Sequence, residues 1–248
     1  MSRLFIFIYG ILSYAIGMAA LVWFILYLGA WDFLPAHIDS KQAGSIGSAI
    51  FINLGLILLF GIQHSVMARP SFKKQITKII PQAAERSTYV LITGIVIGLI
   101  CLYWQPINGS LWQVNSPIAQ SVLIGAYIFG WIFATLATFL INHFELFGLQ
   151  QVYLNLLNKP EPSPRFTDRL FYKVVRHPLQ LGVLMGIWFT PNMSMTHFML
   201  ALSMSIYIFV GLYFEEKDLS YSLGKPYQDY QQRVPMVIPF SMIKGKAE

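Results

Sequence analysis

Two sets of polar residues interrupt an otherwise apolar chain, and their types suit different chemical tasks. The first comprises His64 within Gln63-His64-Ser65, the pair Glu85-Arg86, and His143 between Asn142 and Glu145. A neutral imidazole is a general base near pH 7, its unperturbed pKa being about 6.5. His64 is the first candidate for that role and His143 the second. Glu85 could orient either ring, and Arg86 or Arg69 could stabilise an anion. The second set lies in YKVVRHPLQLG (Tyr172 to Gly182) and FEEKDLSYSLGKPYQDYQQRVPMVIP (Phe214 to Pro239). Arg176 carries a planar fork that pairs bidentately with a carboxylate. Glu215 and Glu216 suit an ammonium group or hydroxyls, while Tyr172, Tyr227 and Tyr230 offer ring faces and hydroxyls. Pro178 has no N–H and pushes His177 toward extended geometry, which frees backbone groups for a ligand. Gly182 and Gly186 share one helix face, where a backbone or a flat molecule can approach closely.

Each feature also has a plainer meaning. Arg-His-Pro at a membrane boundary is a basic anchor, Glu-Glu-Lys-Asp a solvated helix end, the tyrosines interfacial aromatics, and the two glycines packing positions.

The elements that must position these residues are membrane helices. The chain is 56% hydrophobic and 11% charged, which excludes an ordinary soluble domain. A helix needs roughly 20 apolar residues to cross a hydrocarbon core. The spacing therefore predicts crossings at about Leu4–Gly29, Gly44–Met67, Glu85–Trp104, Ile118–Asn142 and Thr196–Phe214, with Gln105 to Pro117 as the turn between the third and fourth. A shorter run, Leu179 to Phe189, joins the last crossing as a C-terminal hairpin. The expected fold is thus all-α: a polytopic transmembrane bundle of five helices plus one shorter helix, in a single domain over 1–248, with 172–239 as a binding hairpin and tail. The first run is too long for a signal-peptide core and reads as a retained helix. No stretch shows strand alternation. The segment Pro70 to Gln82 is amphipathic and expected along the membrane surface.

The net charge of +6 does not gather into a nucleic-acid patch. Its placement reports topology instead. Arg69, Lys73, Lys74, Lys78 and Arg86 fall in one loop; Lys159, Arg165, Arg169, Lys173 and Arg176 in another; Lys217, Lys225, Arg233, Lys244 and Lys246 in the tail. The positive-inside tendency puts these regions, and both termini, in the cytoplasm, with only Lys41 among the basic residues of the opposite loops. His64 then approaches that face from within the membrane, where an ionisable group needs water, a partner or a ligand. Cys101 is the only cysteine, so neither an internal disulfide nor a cysteine-based metal site can form. The signatures of metal hydrolysis, redox thiols, acyl-serine chemistry, nucleotide hydrolysis and dinucleotide binding are all missing.

The order RHPxxxG, apolar hairpin, Glu-Glu, then GxxYxxYxxxxP resembles the cofactor-binding end of integral-membrane methyltransferases of the isoprenylcysteine carboxyl methyltransferase type. With QHSVMARPSFK (Gln63 to Lys73), ERSTYVL (Glu85 to Leu91), HFELFGLQQVY (His143 to Tyr153) and VRHPLQLGVLMGIWFTPNMS (Val175 to Ser194), the chain is similar to the bacterial methanethiol S-methyltransferases and their NnrU-like relatives. It departs at Gln180, where many relatives have Tyr, and at Leu170-Phe171, which replaces a frequent Gly-Pro. The resemblance implies a bacterial-type cytoplasmic membrane, S-adenosylmethionine as cofactor, a small thiol as substrate, membrane lipid as surroundings, and no metal. It also implies a cofactor site of Tyr172, Arg176, His177, Pro178, Gly182, Glu215, Glu216, Tyr227 and Tyr230, with Arg176 on the cofactor carboxylate, and a catalytic set of His64, His143, Glu85 and Arg86. A thiol is largely protonated at neutral pH, so a base helps to form the thiolate. Two alternatives stay open: methylation of a lipid-borne carboxylate or amine, and a membrane component without enzymatic activity.

Overall fold

In a computed structural model the chain is described at residues 2–31, 33–162 and 169–239. Arg165, Lys244 and Lys246 of the charge reading lie outside the described residues. The helices are α1 (Arg3–Leu28), α2 (Ile46–Ala68), α3 (Pro70–Ile76), α4 (Gln82–Tyr103), α5 (Pro117–Ile141), α6 (His143–Leu146), α7 (Leu149–Leu156), α8 (Pro178–Trp188), α9 (Met195–Leu223) and α10 (Lys225–Arg233). Five of them, α1, α2, α4, α5 and α9, are long and apolar enough to cross a membrane. The protein is an all-α integral membrane protein, and large apolar side chains such as Phe51 and Ile118 stand exposed on these helices, as lipid contact requires.

The chain divides into two units, Met1–Val114 with Asn142–Ser163 and Pro191–Ser203, and Asn115–Ile141 with Pro164–Thr190 and Met204–Glu248. In the first unit α1 runs alongside α4. Ile6 packs with Ala84 and Val152 near the start of both helices, and Tyr27 near the end of α1 fixes the following loop by accepting the N–H of Ile38 on its carbonyl. Close approach needs glycine at the crossing: a Cβ on Gly94 would lie 2.9 Å from the Cα of Gly17. At the other end of the unit Asn53, fully buried, donates from Nδ2 to the Gln105 carbonyl at 2.9 Å and accepts the Gln105 N–H at 2.8 Å. Lys41 closes the C-terminal end of α4 by donating to the carbonyls of Leu102 and Trp104, where a cation also complements the helix dipole.

The expected turn from Gln105 to Pro117 contains a short strand, β1 (Ser110–Gln113), which pairs antiparallel with β2 (Asn192–Ser194). Ribbons this short carry no period-2 signal; partners distant in sequence create them.

In the second unit α5 and α8 cross closely, and Ile208, Leu212 and Val237 form a core with Leu181, Leu184 and Met236 packed against it. Helix α9 runs past the predicted end at Phe214 as far as Leu223, because Lys217 to Leu223 contains no helix breaker before Gly224, whose φ of +63° turns the chain into α10.

Candidate functional site

Each unit gathers one of the two polar sets. In the second unit Pro178 starts α8, and the non-helical backbone before it, with His177 at φ −123° and ψ 67° and so short of extended geometry, pairs with the tail: the N–H groups of Arg176 and His177 donate to the carbonyls of Pro235 and Met236 at 2.9 and 3.0 Å. This pairing holds Arg176 and His177 against Glu216 of α9. Arg176 donates from Nε to Oε1 of Glu216 at 3.0 Å and from Nη2 to Oε2 at 2.8 Å, while its Nη1 reaches the carbonyls of Gln231 and Val234. Oε1 also meets His177 Nε2 at 2.6 Å and accepts from the Tyr227 hydroxyl at 2.7 Å, and Oε2 accepts from Gln231 Nε2 at 2.6 Å. Glu216 is therefore a saturated, buried carboxylate.

The fork expected to bind a ligand carboxylate has instead met a carboxylate of its own chain. Glu215 differs: its side chain is 50% exposed, with Oε2 4.0 Å from His177 Nδ1. Tyr230 donates to the Tyr172 carbonyl at 2.5 Å, clasping α10 to the segment before the Arg-His-Pro break. Burial raises the phenol of Tyr172, and burial together with the neighbouring Glu216 raises that of Tyr227, so both are neutral hydroxyls at physiological pH. Gly182 faces α5, where a Cβ would lie 2.5 Å from the Gly130 carbonyl oxygen and 2.6 Å from the Ala134 nitrogen. The room it leaves is taken by a neighbouring helix.

In the first unit the end of α2 meets the start of α4. His64 is half-buried, stacks on Phe60 at 5.1 Å between centroids, and has its Nε2 2.8 Å from the Tyr89 hydroxyl. The guanidinium of Arg86 sits 4.8 Å over the Tyr89 ring and donates from Nε to the Leu146 carbonyl at 2.7 Å. That bond, with Ser87 Oγ donating to the Gly148 carbonyl, straps the α6–α7 corner onto α4. Gly148 adopts φ +85°, which admits glycine readily.

The strap carries His143, which is buried with Nε2 2.8 Å from the Tyr14 hydroxyl. Phe147 lies 4.7 Å from the His143 ring and packs against Met67, Tyr89 and Val90. One aromatic wedge thus touches His143 and the tyrosine that holds His64. Burial lowers the pKa of His143, so its neutral form is favoured. Glu85 pairs with Lys73 at 3.7 Å rather than with either imidazole.

Sequence reasoning missed Tyr89, Tyr14 and Gln231. Tyr89 had a signal, lying three residues after Arg86 on one helix face. Gln231 falls four residues after Tyr227 on the same face of α10. Tyr14, inside an uncharged run, had none. Among the described residues no cluster of His, Cys, Asp and Glu could hold a metal.

Comparison with known proteins adds an independent line. The family model described as NnrU protein matches residues 52–238. Methanethiol S-methyltransferase 2 of Bradyrhizobium diazoefficiens is 43% identical over 238 residues, covering 96% of this chain and 91% of that protein. Methanethiol S-methyltransferase of Mycobacterium tuberculosis is 40% identical over 240 residues, covering 97% and 98%. Nurim of Bos taurus is more distant, 30% identical over 206 residues, covering 78% and 76%. No solved structure gives a significant match.

Proposed function

The chain belongs to the NnrU family, and from that premise we propose that it transfers the methyl group of S-adenosylmethionine to a small thiol, methanethiol foremost, giving dimethyl sulfide. The observation that carries this reading is the near full-length likeness to proteins named methanethiol S-methyltransferase.

S-adenosylmethionine supplies a methyl group already activated by its positively charged sulfur. The protein then has two tasks: to hold and orient the donor, and to present the thiol as a thiolate.

Holding falls to the second unit. Its free groups fit part of the donor: Glu215 offers an accessible carboxylate for the ammonium group or the ribose hydroxyls, His177 presents Nδ1 on the same side, and the first turn of α8 leaves N–H groups without helical partners. Arg176 has most of its donors on Glu216 and on carbonyls, so we assign it to fixing the Arg-His-Pro segment in place of gripping the donor carboxylate. Tyr227 and Tyr230 have committed hydroxyls and contribute ring surface. Gly182 acts through the closeness of α5 and α8.

Presenting the thiolate falls to the first unit. His64, held by Tyr89, takes the thiol proton; His143 is the alternative base, and Arg86 lends positive charge to the anion. The basic loops, with both termini, face the cytoplasm by the positive-inside tendency.

The test is purified protein with S-adenosylmethionine and thiols of increasing chain length. The expected outcome is dimethyl sulfide and S-adenosylhomocysteine from methanethiol, with turnover falling as the chain lengthens. Donor binding without turnover of any thiol would replace this reading by a non-enzymatic role, and turnover only of lipid-borne acceptors would move the substrate class.

A further inference from the structure

Along one face of α9 Phe209, Tyr213 and Lys217 recur four residues apart, with Glu216 and Ser220 beside them. Together with Gln231 of α10 and Met236 of the tail they line an open-sided cavity of about 450 Å³. Glu215 and His177, the groups assigned to the methyl donor, do not line it, although Glu216, which does, is bonded to His177.

The cavity is amphiphilic along its length. Its apolar end is formed by Phe209, Tyr213 and Met236, and Phe209 and Tyr213 are 42% and 66% exposed on a helix built to cross a membrane. At its polar end stand Lys217, Ser220 and Gln231. The one carboxylate in the wall, Glu216, is offset by Arg176 and bonded to His177, whereas Lys217 makes no ion pair among the described residues. A lysine ammonium beside a hydroxyl, one helical turn beyond an exposed apolar helix face, complements a phosphate attached to an acyl chain.

We propose that this cavity binds one anionic phospholipid, its phosphate on Lys217 and the Ser220 hydroxyl and its acyl chain along Phe209, Tyr213 and Met236. Occupancy has a consequence beyond anchoring. Ser220 Oγ donates to Gln231 Oε1 at 3.2 Å, and Gln231 Nε2 donates to Glu216 Oε2 at 2.6 Å. A phosphate that accepts the single Ser220 proton takes it from Gln231 Oε1, so lipid binding exchanges one hydrogen bond in the chain that leads to the Arg176–Glu216 pair and couples occupancy to the clasp that holds the Arg-His-Pro segment.

The experiment is a native mass spectrometry titration of the delipidated full chain in neutral detergent, with phosphatidylglycerol, phosphatidylcholine and glycerol 3-phosphate as separate probes. Donor and thiol are omitted, so the outcome is independent of methyl transfer. One phosphatidylglycerol is expected to be retained about tenfold more tightly than phosphatidylcholine, whose choline cation offsets its phosphate and is repelled by Lys217, and to raise the melting temperature. Lys217→Gln should abolish the preference, Ser220→Ala should reduce it, and Lys78→Gln, on a different basic segment, should leave it intact. Equal retention of the two lipids overturns the proposal. So does a preference that survives both Lys217→Gln and Ser220→Ala, or binding of glycerol 3-phosphate as tight as that of the lipid.

Discussion

Arg176 grips both oxygens of Glu216, Nε 3.0 Å from Oε1 and Nη2 2.8 Å from Oε2, and so ties the break before α8 to the polar end of α9. The neighbouring Glu215 takes no part in that grip and remains half exposed. Adjacent residues of the same type thereby stand in different surroundings. Glu216→Ala leaves Arg176 and His177 buried without their carboxylate and should destabilise the protein by about 3 kcal/mol, visible as a lower melting temperature in detergent. Glu215→Gln should change stability by less than about 0.5 kcal/mol while weakening S-adenosylmethionine binding about tenfold. Calorimetry on both variants separates the two effects; equal losses of stability would show that the division is wrong.

On the proposed mechanism the Tyr89 hydroxyl, 2.8 Å from His64 Nε2, orients the base. His64→Ala should lower kcat by roughly 10²- to 10⁴-fold, the usual worth of a positioned base, with donor affinity unchanged. Tyr89→Phe removes one hydrogen bond and should lower kcat about tenfold. Steady-state kinetics at saturating donor read both, and an unaltered kcat in His64→Ala passes the role to His143.

His143 gives a pH signature. Burial lowers its pKa in the folded protein, so the unfolded chain binds more protons as the solution is acidified. Its contribution to stability is intact above the unfolded value of about 6.5 and is lost as the pH falls below it. Melting temperatures from pH 8 down to pH 5 should therefore decline more steeply in the wild type than in His143→Gln; parallel curves would contradict the assignment.

Gly182 allows α5 and α8 to touch backbone to backbone. Gly182→Ala places a methyl 2.5 Å from the Gly130 carbonyl oxygen, and relief of that clash should cost about 1–3 kcal/mol. Gly55→Ala, where nothing lies within 4 Å, should be neutral or slightly stabilising. Thermal unfolding of the pair checks the contrast.

The membrane helices were legible because length and hydropathy decide them: four of the five predicted crossings differ from the observed helices by a few residues at most, Glu85–Trp104 against Gln82–Tyr103 being the largest shift. The overrun of α9 to Leu223 was hidden because a polar helix turn beyond the bilayer carries no hydropathy signal. Ribbon β1–β2 was hidden because its pairing joins residues some eighty positions apart. For the polar sets, sequence named several of the residues that stand together but not Tyr89, Tyr14 or Gln231, and not who pairs with whom. An arginine fork suits any carboxylate, and nothing in the residue order says whether that carboxylate belongs to a ligand or to Glu216. Tyr14 was invisible for a related reason, since a tyrosine in an apolar helix reads as packing until His143 is seen 2.8 Å from its hydroxyl.

The most direct measurement is isotopic. Purified protein supplied with S-adenosylmethionine bearing a trideuterated methyl group, and with unlabelled methanethiol, should release dimethyl sulfide carrying one deuterated and one ordinary methyl group, in step with S-adenosylhomocysteine formation. Dimethyl sulfide at background level, or product without the label, under conditions where the donor is demonstrably bound, would contradict the account.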